Sequence, residues 1–226
     1  MQTQIPSIEN SALALSTLRV EPEAAFSVVD AECDTLLYTF DGAGSLALGG
    51  QTFALSRGTA ALVLAGEEGT LVAERDELAV VRAIAGPDAD RHAPLGNREV
   101  VVRLDEGISG GATGARSFQV LLGPQNGSTR ATLFAGFVPP GKAPWHYHLY
   151  DEIVWVPEGP GRLHLREATA ELGPGSAFRL RPREVHIVEN ASAEVAMTVI
   201  GVFTPAGSPS AAYLTRDGAA EYHVAG

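Results

Sequence analysis

Short runs in which apolar and polar residues alternate, separated by glycine turns, dominate the chain. A period of two is typical of strands, because successive side chains of a strand point to opposite faces of the sheet. Long helical patterns are absent, so the sequence predicts an all-β protein. The clearest predicted strands are residues 36–40, 44–48, 51–55 and 60–64 in the first half and residues 152–156, 161–166, 168–172 and 177–181 in the second.

The two groups of predicted strands repeat one another at an offset of 117 residues. Gly42 matches Gly159 and Gly58 matches Gly175, so both copies have the same spacing between their two turn glycines. A repeat of this kind indicates two tandem all-β units of similar construction.

At 226 residues the chain could be one large domain or two smaller ones, and the repeat favours two. The charged segment that follows the turn at Gly86 links the copies. We therefore predict an N-terminal domain of residues 1–95 and a C-terminal domain of residues 96–226.

The second copy contains a group of residues that suits a metal ion. His146 and His148 are separated by one residue, which places both imidazoles on one face of a strand. Glu152 follows at an even offset, and His186 comes from a later strand. Three imidazoles and a carboxylate suit one divalent transition metal (Fe, Mn, Ni, Co or Zn) better than Ca or Mg, which prefer oxygen ligands only. The alternative, ordinary polar residues on a solvated face, is weakened because five of the six histidines lie in the second half.

Two segments of the second copy resemble the two conserved motifs of the cupin superfamily. From Gly141 to Gly159, the His-x-His pair, the glutamate and the final glycine match the first motif, and only the spacing from Gly141 is one residue short. From Gly175 to Asn190, the glycine, histidine and asparagine match the second motif. Residues 181–183 depart from it, because Arg-Pro-Arg stands where the family usually has proline and glycine.

The resemblance, together with the repeat, implies a bicupin. Its fold would be two tandem cupin barrels, each a double-stranded β-helix or jelly roll. The ligand set that the motifs imply is His146, His148, Glu152 and His186.

The first copy lacks these ligands. We therefore expect a degenerate N-terminal cupin that shapes the substrate site or a dimer interface, and one metal per chain. At the same offset, the positions of the four ligands hold Val29, Ala31, Thr35 and Gly69.

Several residues near the motif are candidates for substrate binding or catalysis. Tyr150 has the same parity as the histidines and could donate a hydrogen bond or a proton. Trp155 could line an apolar pocket or belong to the core. Arg179 and Arg181 alternate on one strand and would bind an acidic substrate if they face inward. Charged side chains are usually exposed, which favours the outward alternative for both.

Composition excludes some functions. The net charge of −11, from 16 basic and 27 acidic residues, and the lack of a Lys/Arg cluster argue against nucleic acid as a partner. No apolar run approaches the ~20 residues that a membrane-spanning helix needs. The lone Cys33 and an N-terminus without a basic start and apolar run predict a cytoplasmic protein. Exposed sheet edges make a homodimer plausible.

Three functions remain from the sequence. The first is a metal-dependent enzyme that carries out dioxygenase-type oxidation of a small organic substrate, with Glu152 ligating the metal or accepting a proton. The second is an isomerase, hydrolase or decarboxylase in which the metal acts as a Lewis acid. The third is a non-catalytic cupin that binds a small ligand, which the intact set of ligands in the second copy disfavours.

Overall fold

The computed structural model describes residues 8–9, 12–112, 114–216 and 219–223. Apart from one 3-10 turn at Pro124–Asn126, the regular elements among them are β-strands, which confirms the predicted all-β class. None of the helices in this part of the chain has the length and hydropathy to cross a membrane.

The chain forms two compact units. The first comprises residues up to Gly107 together with Leu121–Ala131 and Thr204–Ala206, and the second comprises the remainder. These bounds differ from the predicted domains, because residues 96–107 fold with the first unit. Arg98 forms an ion pair with Glu67 there, and the strand Val101–Arg103 pairs with the strand Thr59–Val63.

Among its described residues, the first unit has ten strands in two sheets. One has the order β1-β2-β9-β4-β7-β10 and the other β3-β8-β5-β6. A single apolar cluster contains residues of both sheets, so the sheets pack on each other around it. The strands are β1 Ile8–Glu9, β2 Leu13–Val20, β3 Ala25–Val29, β4 Asp34–Asp41, β5 Ala43–Leu48, β6 Gln51–Ser56, β7 Thr59–Val63, β8 Glu68–Ala73, β9 Leu78–Ala85 and β10 Val101–Arg103.

The second unit also has two sheets, with the orders β11-β12-β13-β21-β16-β19 and β18-β17-β20-β15-β22-β23. An apolar cluster again joins them. None of the four sheets closes on itself within the described residues. The strands are β11 Ile108–Gly111, β12 Ser117–Leu122, β13 Thr132–Val138, β14 Gly141–Lys142, β15 His146–Tyr147, β16 Asp151–Trp155, β17 Gly161–Leu165, β18 Thr169–Leu172, β19 Ala177–Leu180, β20 His186–Asn190, β21 Met197–Thr204, β22 Ala212–Arg216 and β23 Ala219–His223.

The strand pairing reproduces the internal repeat. Residues that face each other across paired strands of the second unit have counterparts, 117 positions earlier, that face each other in the first. The two copies are therefore built on one register, as the sequence offset predicts. The matched pairs include Glu152–Leu180 with Thr35–Val63, Gly161–Leu172 with Gly44–Leu55, and Leu165–His186 with Leu48–Gly69.

The strand that carries the first histidine departs from this offset by one residue. His146 lies opposite His186, whereas Gly69, the counterpart of His186, lies opposite Val28. The counterpart of His146 is therefore Val28, and the assignment of Val29 from the sequence offset is wrong by one position. Valine cannot coordinate a metal at either position, so the contrast between the two copies remains.

The matched glycines of the repeat have a physical basis. Gly42, Gly58 and Gly175 have φ angles of +75°, +86° and +82°, in the left-handed region that favours glycine. At Gly42 a Cβ atom would lie only 2.0 Å from the backbone oxygen of Glu77. Both the backbone conformation and the close approach therefore require glycine at this turn.

Replacing Gly42 by alanine should destabilise the first unit far more than the same change at Gly49. Gly49 has a φ of +57° but nothing within 4 Å of the added Cβ, so Gly49→Ala carries only the backbone term of about 1 kcal/mol. Gly42→Ala adds a backbone collision and should cost at least about 3 kcal/mol. Urea unfolding of both variants measures the difference. Equal losses would show that the contact between Gly42 and Glu77 is not a constraint on the fold.

Candidate metal centre

Two neighbouring strands bring the three predicted histidines together. β15 pairs with β20 so that His146 faces His186, and His148 follows β15 directly. One ring nitrogen from each histidine lies within 4.8 Å of the others, and all three side chains are buried. The cluster is therefore a compact arrangement of imidazoles inside the second unit.

Each imidazole is oriented by a backbone carbonyl. The Nδ1 atoms of His146, His148 and His186 lie 2.9, 3.1 and 2.8 Å from the carbonyl oxygens of Pro144, Ala211 and Glu184. Since a carbonyl can only accept, each Nδ1 carries the proton and each Nε2 carries the lone pair. These hydrogen bonds hold all three rings in the tautomer that can bind a metal through Nε2.

Burial keeps the three imidazoles neutral. It lowers the pKa of His148 to about 3 and that of His186 to about 4. The pKa of His146 is also well below the usual value, first through burial and then through the neighbouring His186. A metal therefore meets three unprotonated ligands at neutral pH.

Glu152 lies beside the cluster. Its Oε2 is 3.9 Å from Nε2 of His148, and only 4% of the residue is exposed. Burial raises the pKa of this carboxyl to about 8, although the charge of Arg116 lowers it. The absence of a side chain at Gly201 makes room, because a Cβ there would lie 3.1 Å from Oε1 of Glu152 and 2.3 Å from the ring of Phe134.

Arg116 is a candidate functional residue that the sequence patterns did not identify. It ends the loop between β11 and β12, where the amide of Ala112 donates to its carbonyl oxygen. Its Nη2 lies 3.0 Å from Nε2 of His146. Burial lowers the pKa of this guanidinium to about 10, while the charge of Glu152 raises it. Arg116 precedes His146 by 30 residues and lies outside both motifs, so only the folded hairpin brings it to the histidines.

A cavity of about 60 Å³ adjoins these groups. A buried water needs roughly 10–15 Å³, so this space corresponds to about four to six non-hydrogen atoms. Its walls are largely apolar, with Phe118, Phe134, Val154, Leu180 and Val188 among them. A small ligand would therefore be held away from water next to a few polar groups. Those polar groups come from Arg116, Ser117, His148, Tyr150, Glu152 and His186.

Tyr150 lines the cavity as its parity indicated, and its ring is stacked between two others. The ring centroids of His148 and Phe203 lie 4.6 and 4.0 Å away. The Tyr150 hydroxyl donates to the carbonyl oxygen of Pro209 at 3.4 Å. Burial, with the charge of Glu152, raises the pKa of this hydroxyl well above the usual value, so Tyr150 stays protonated. The contacts favour a role in holding the His148 ring.

Three predicted substrate-binding residues lie away from the cavity lining. Trp155 is buried and has the same strand parity as Asp151, opposite to that of Glu152. Arg179 forms a bidentate ion pair with Asp151. Arg181 is exposed. The two arginines thus follow the outward alternative, and the structure gives no support to substrate binding by these three residues.

The donor set fits a divalent transition metal. Three neutral imidazoles with unprotonated Nε2 atoms match the nitrogen-rich shell of Mn, Fe, Co, Ni or Zn, and the Glu152 carboxyl lies 3.9 Å from one of them. The counterpart region of the first unit does not fit. There a Cβ at Gly69 would lie 3.1 Å from Leu46 and 3.3 Å from Val63, so no imidazole could replace that glycine without repacking the core.

Comparison with known proteins agrees with this geometry. The family model of the cupin domain matches residues 134–223, which include all four predicted ligands. The chains of known structure described next have similar folds. The family match supports a cupin domain in the second unit. No curated protein matches the sequence.

Solved structures with a similar fold cover most of this chain at low identity. A mutant of oxalate decarboxylase from Bacillus subtilis has a TM-score of 0.73 at 12% identity, over 94% of this chain and 77% of that one. AerE from Microcystis aeruginosa has a TM-score of 0.73 at 12% identity, over 90% and 96%. A putative glyoxylate-induced protein from Pseudomonas aeruginosa has a TM-score of 0.71 at 15% identity, over 84% and 74%. At these identities the likeness shows the fold alone.

Metal binding at pH 7 should release about one proton per chain. The histidines are neutral at this pH, whereas the Glu152 carboxyl, with its pKa raised to about 8, is mostly protonated and must lose its proton to ligate. Calorimetric titration with Zn²⁺ in two buffers of different ionisation enthalpy measures the release, and Glu152→Gln is the control that should release none. Release of two or more protons would show that the histidines are not held neutral. No release from the unaltered protein would show that Glu152 keeps its proton and does not ligate.

Proposed function

We propose that this chain is a metal-dependent enzyme that acts on a small organic acid. The observation that carries the proposal is a cluster of three neutral imidazoles, one carboxyl group and the partly buried guanidinium of Arg116, four of which line a cavity of about 60 Å³. A binding protein needs shape and a few polar contacts, but it does not need this set of metal ligands together with a titratable acid.

The bound metal would be one divalent ion per chain, held by His146, His148 and His186, with Glu152 as a fourth ligand. It would supply Lewis-acid polarisation or activation of dioxygen. Manganese has a parallel among the structural neighbours, since one structure of oxalate decarboxylase concerns the Mn(II) centres of that enzyme.

The chain's own residues supply the remaining functions of such a site. The Arg116 guanidinium offers a fork of donors that suits a carboxylate, which supports an acidic substrate. The apolar walls exclude water and strengthen that charge pairing. The small volume favours a small substrate.

Dioxygenase-type oxidation is the first candidate reaction. If Glu152 ligates, the three histidines and Glu152 would hold the metal, which would supply activation of dioxygen. In this case Arg116 orients the substrate carboxylate, and Glu152 has no proton to transfer.

Loss of CO2 is a second candidate, which the raised pKa of Glu152 favours. If the three histidines alone hold the metal, the Glu152 carboxyl keeps its proton at neutral pH. When the bond between the carboxylate and its neighbouring carbon breaks, the electron pair stays on that carbon and Glu152 can donate its proton to it. Oxalate decarboxylase among the structural neighbours makes a carboxylic acid a sensible first substrate to test.

The overall arrangement that we propose is a bicupin with a degenerate N-terminal barrel and a metal only in the C-terminal barrel. The shared strand register supports it, as do neighbours such as AerE, which match along nearly the whole of both chains. The homodimer, the cytoplasmic location and the absence of nucleic-acid partners stay predictions from the sequence.

Turnover of small carboxylic acids should depend on the metal and on His148. The protein, loaded with Mn²⁺ or Fe²⁺, is tested against oxalate, glyoxylate and malonate while oxygen uptake and CO2 release are recorded. We expect activity that a chelator removes, that His148→Ala reduces at least about a thousandfold, and that the control His164→Ala retains. His164 lies in the same unit but is bound to Glu189, away from the cavity.

The gas measurements separate the alternatives. Oxygen uptake during turnover supports oxidation. CO2 release without net oxygen uptake supports decarboxylation. Metal-dependent turnover of neutral substrates alone would contradict the acidic substrate class. Tight binding of acids without turnover under any metal would contradict an enzyme and favour the binding protein.

A further inference from the structure

The position of Arg116 has a consequence for metal binding itself. Its Nη2 lies 3.0 Å from Nε2 of His146, while Nδ1 of the same ring is 2.9 Å from the carbonyl oxygen of Pro144. Because Nδ1 donates to that carbonyl, Nε2 is the acceptor of the hydrogen bond from Arg116. The guanidinium therefore uses the same lone pair that a metal would use.

The cavity lining agrees with this arrangement. Arg116, His148 and His186 line the cavity, whereas His146 does not and is fully buried. Two of the three imidazoles are thus open to the cavity, and Arg116 rather than His146 forms the wall at the third. An ion that binds all three Nε2 atoms has to take the place of the hydrogen bond from Arg116.

Charge makes the competition stronger. A guanidinium does not give up its proton in proteins, so Arg116 keeps its positive charge when a divalent cation approaches. The Glu152 carboxylate, when ionised, compensates the charge of Arg116. A metal at the histidines would share Glu152 with Arg116 and repel the guanidinium across a poorly screened, buried site.

We infer that Arg116 is an internal competitor for the metal. Its guanidinium holds His146 when no ion is bound and turns away from that ring when the ion binds. This inference rests on the proposed metal site. It makes metal binding the event that frees the guanidinium for the substrate carboxylate. Substrate binding would therefore be strong only after the metal has bound, and an acidic ligand would in turn tighten the metal.

The test is the affinity of the metal-free protein for Zn²⁺, measured by competition with a chromophoric chelator. Arg116→Met removes the donor and the charge and should tighten zinc binding about tenfold or more. Arg116→Lys keeps the charge on a shorter side chain, so its zinc affinity should lie between those of the unaltered protein and Arg116→Met. Arg162→Met is the control, because it removes a positive charge from the same unit at a side chain bound to Glu171, and it should leave the affinity unchanged within about twofold.

A second measurement detects the contact without a metal. The ¹⁵N chemical shift of the His146 Nε2 atom in the metal-free protein should move in Arg116→Met and not in Arg162→Met. Zinc binding that is unchanged or weaker in both Arg116 variants, with unaltered thermal unfolding, would overturn the inference while leaving the metal site standing. If neither the unaltered protein nor the variants bind zinc through the histidines, the proposed function fails together with the inference.

Oxalate binding tests the second part of the inference, that the metal frees Arg116 for a substrate carboxylate. In the zinc-loaded protein oxalate should bind at least about tenfold more tightly than in the metal-free protein, and Arg116→Met should remove most of that gain. Oxalate affinity that is equal with and without zinc would contradict the release of Arg116 by the metal.

Discussion

The pairing of β15 with β20 is the constraint on which the site depends. It sets His146 opposite His186, and the backbone carbonyls near these strands hold the rings with Nε2 facing one point. A shift of one residue in this pairing would turn each imidazole to the other face of the sheet. The metal site is therefore a property of strand register as much as of residue type.

The two units show how the same register supports different interiors. Where the second unit has His146 opposite His186, the first has Val28 opposite Gly69, packed with Leu46 and Val63. Apolar packing stabilises the first unit without a ligand, whereas the second unit buries polar rings that need their carbonyl partners and, in our proposal, an ion. In the second unit, polar side chains thus occupy positions that are apolar core in the first.

Sequence patterns predicted the strands, the repeat and the histidine cluster well, because these depend on local periodicity and spacing. The eight strands predicted in the repeated segments all form, with small differences at their ends. The parity rule also placed Tyr150 on the cavity. The fixed offset of the repeat failed at the strand that carries His146, where a shift of one residue makes Val28 the counterpart.

The role of Arg116 could not be predicted in this way. Its proximity to His146 depends on a hairpin that folds back from 30 residues earlier, and no motif or repeat marks it. Arg179 and Arg181 drew attention because they replace leucines of the first copy, yet Arg179 is bound to Asp151 and Arg181 is exposed. A leucine replaced by an arginine between the two copies indicates a change of environment. The direction in which the arginine points can be read only from the folded structure.

An anomalous-scattering map from crystals of the metal-loaded protein tests the central claim most directly. The two-unit contrast predicts one strong peak per chain, within bonding distance of the Nε2 atoms of His146, His148 and His186, and none near Gly69. A peak bound elsewhere, or density for the Arg116 guanidinium in place of a metal at saturating concentrations of the ion, would contradict it.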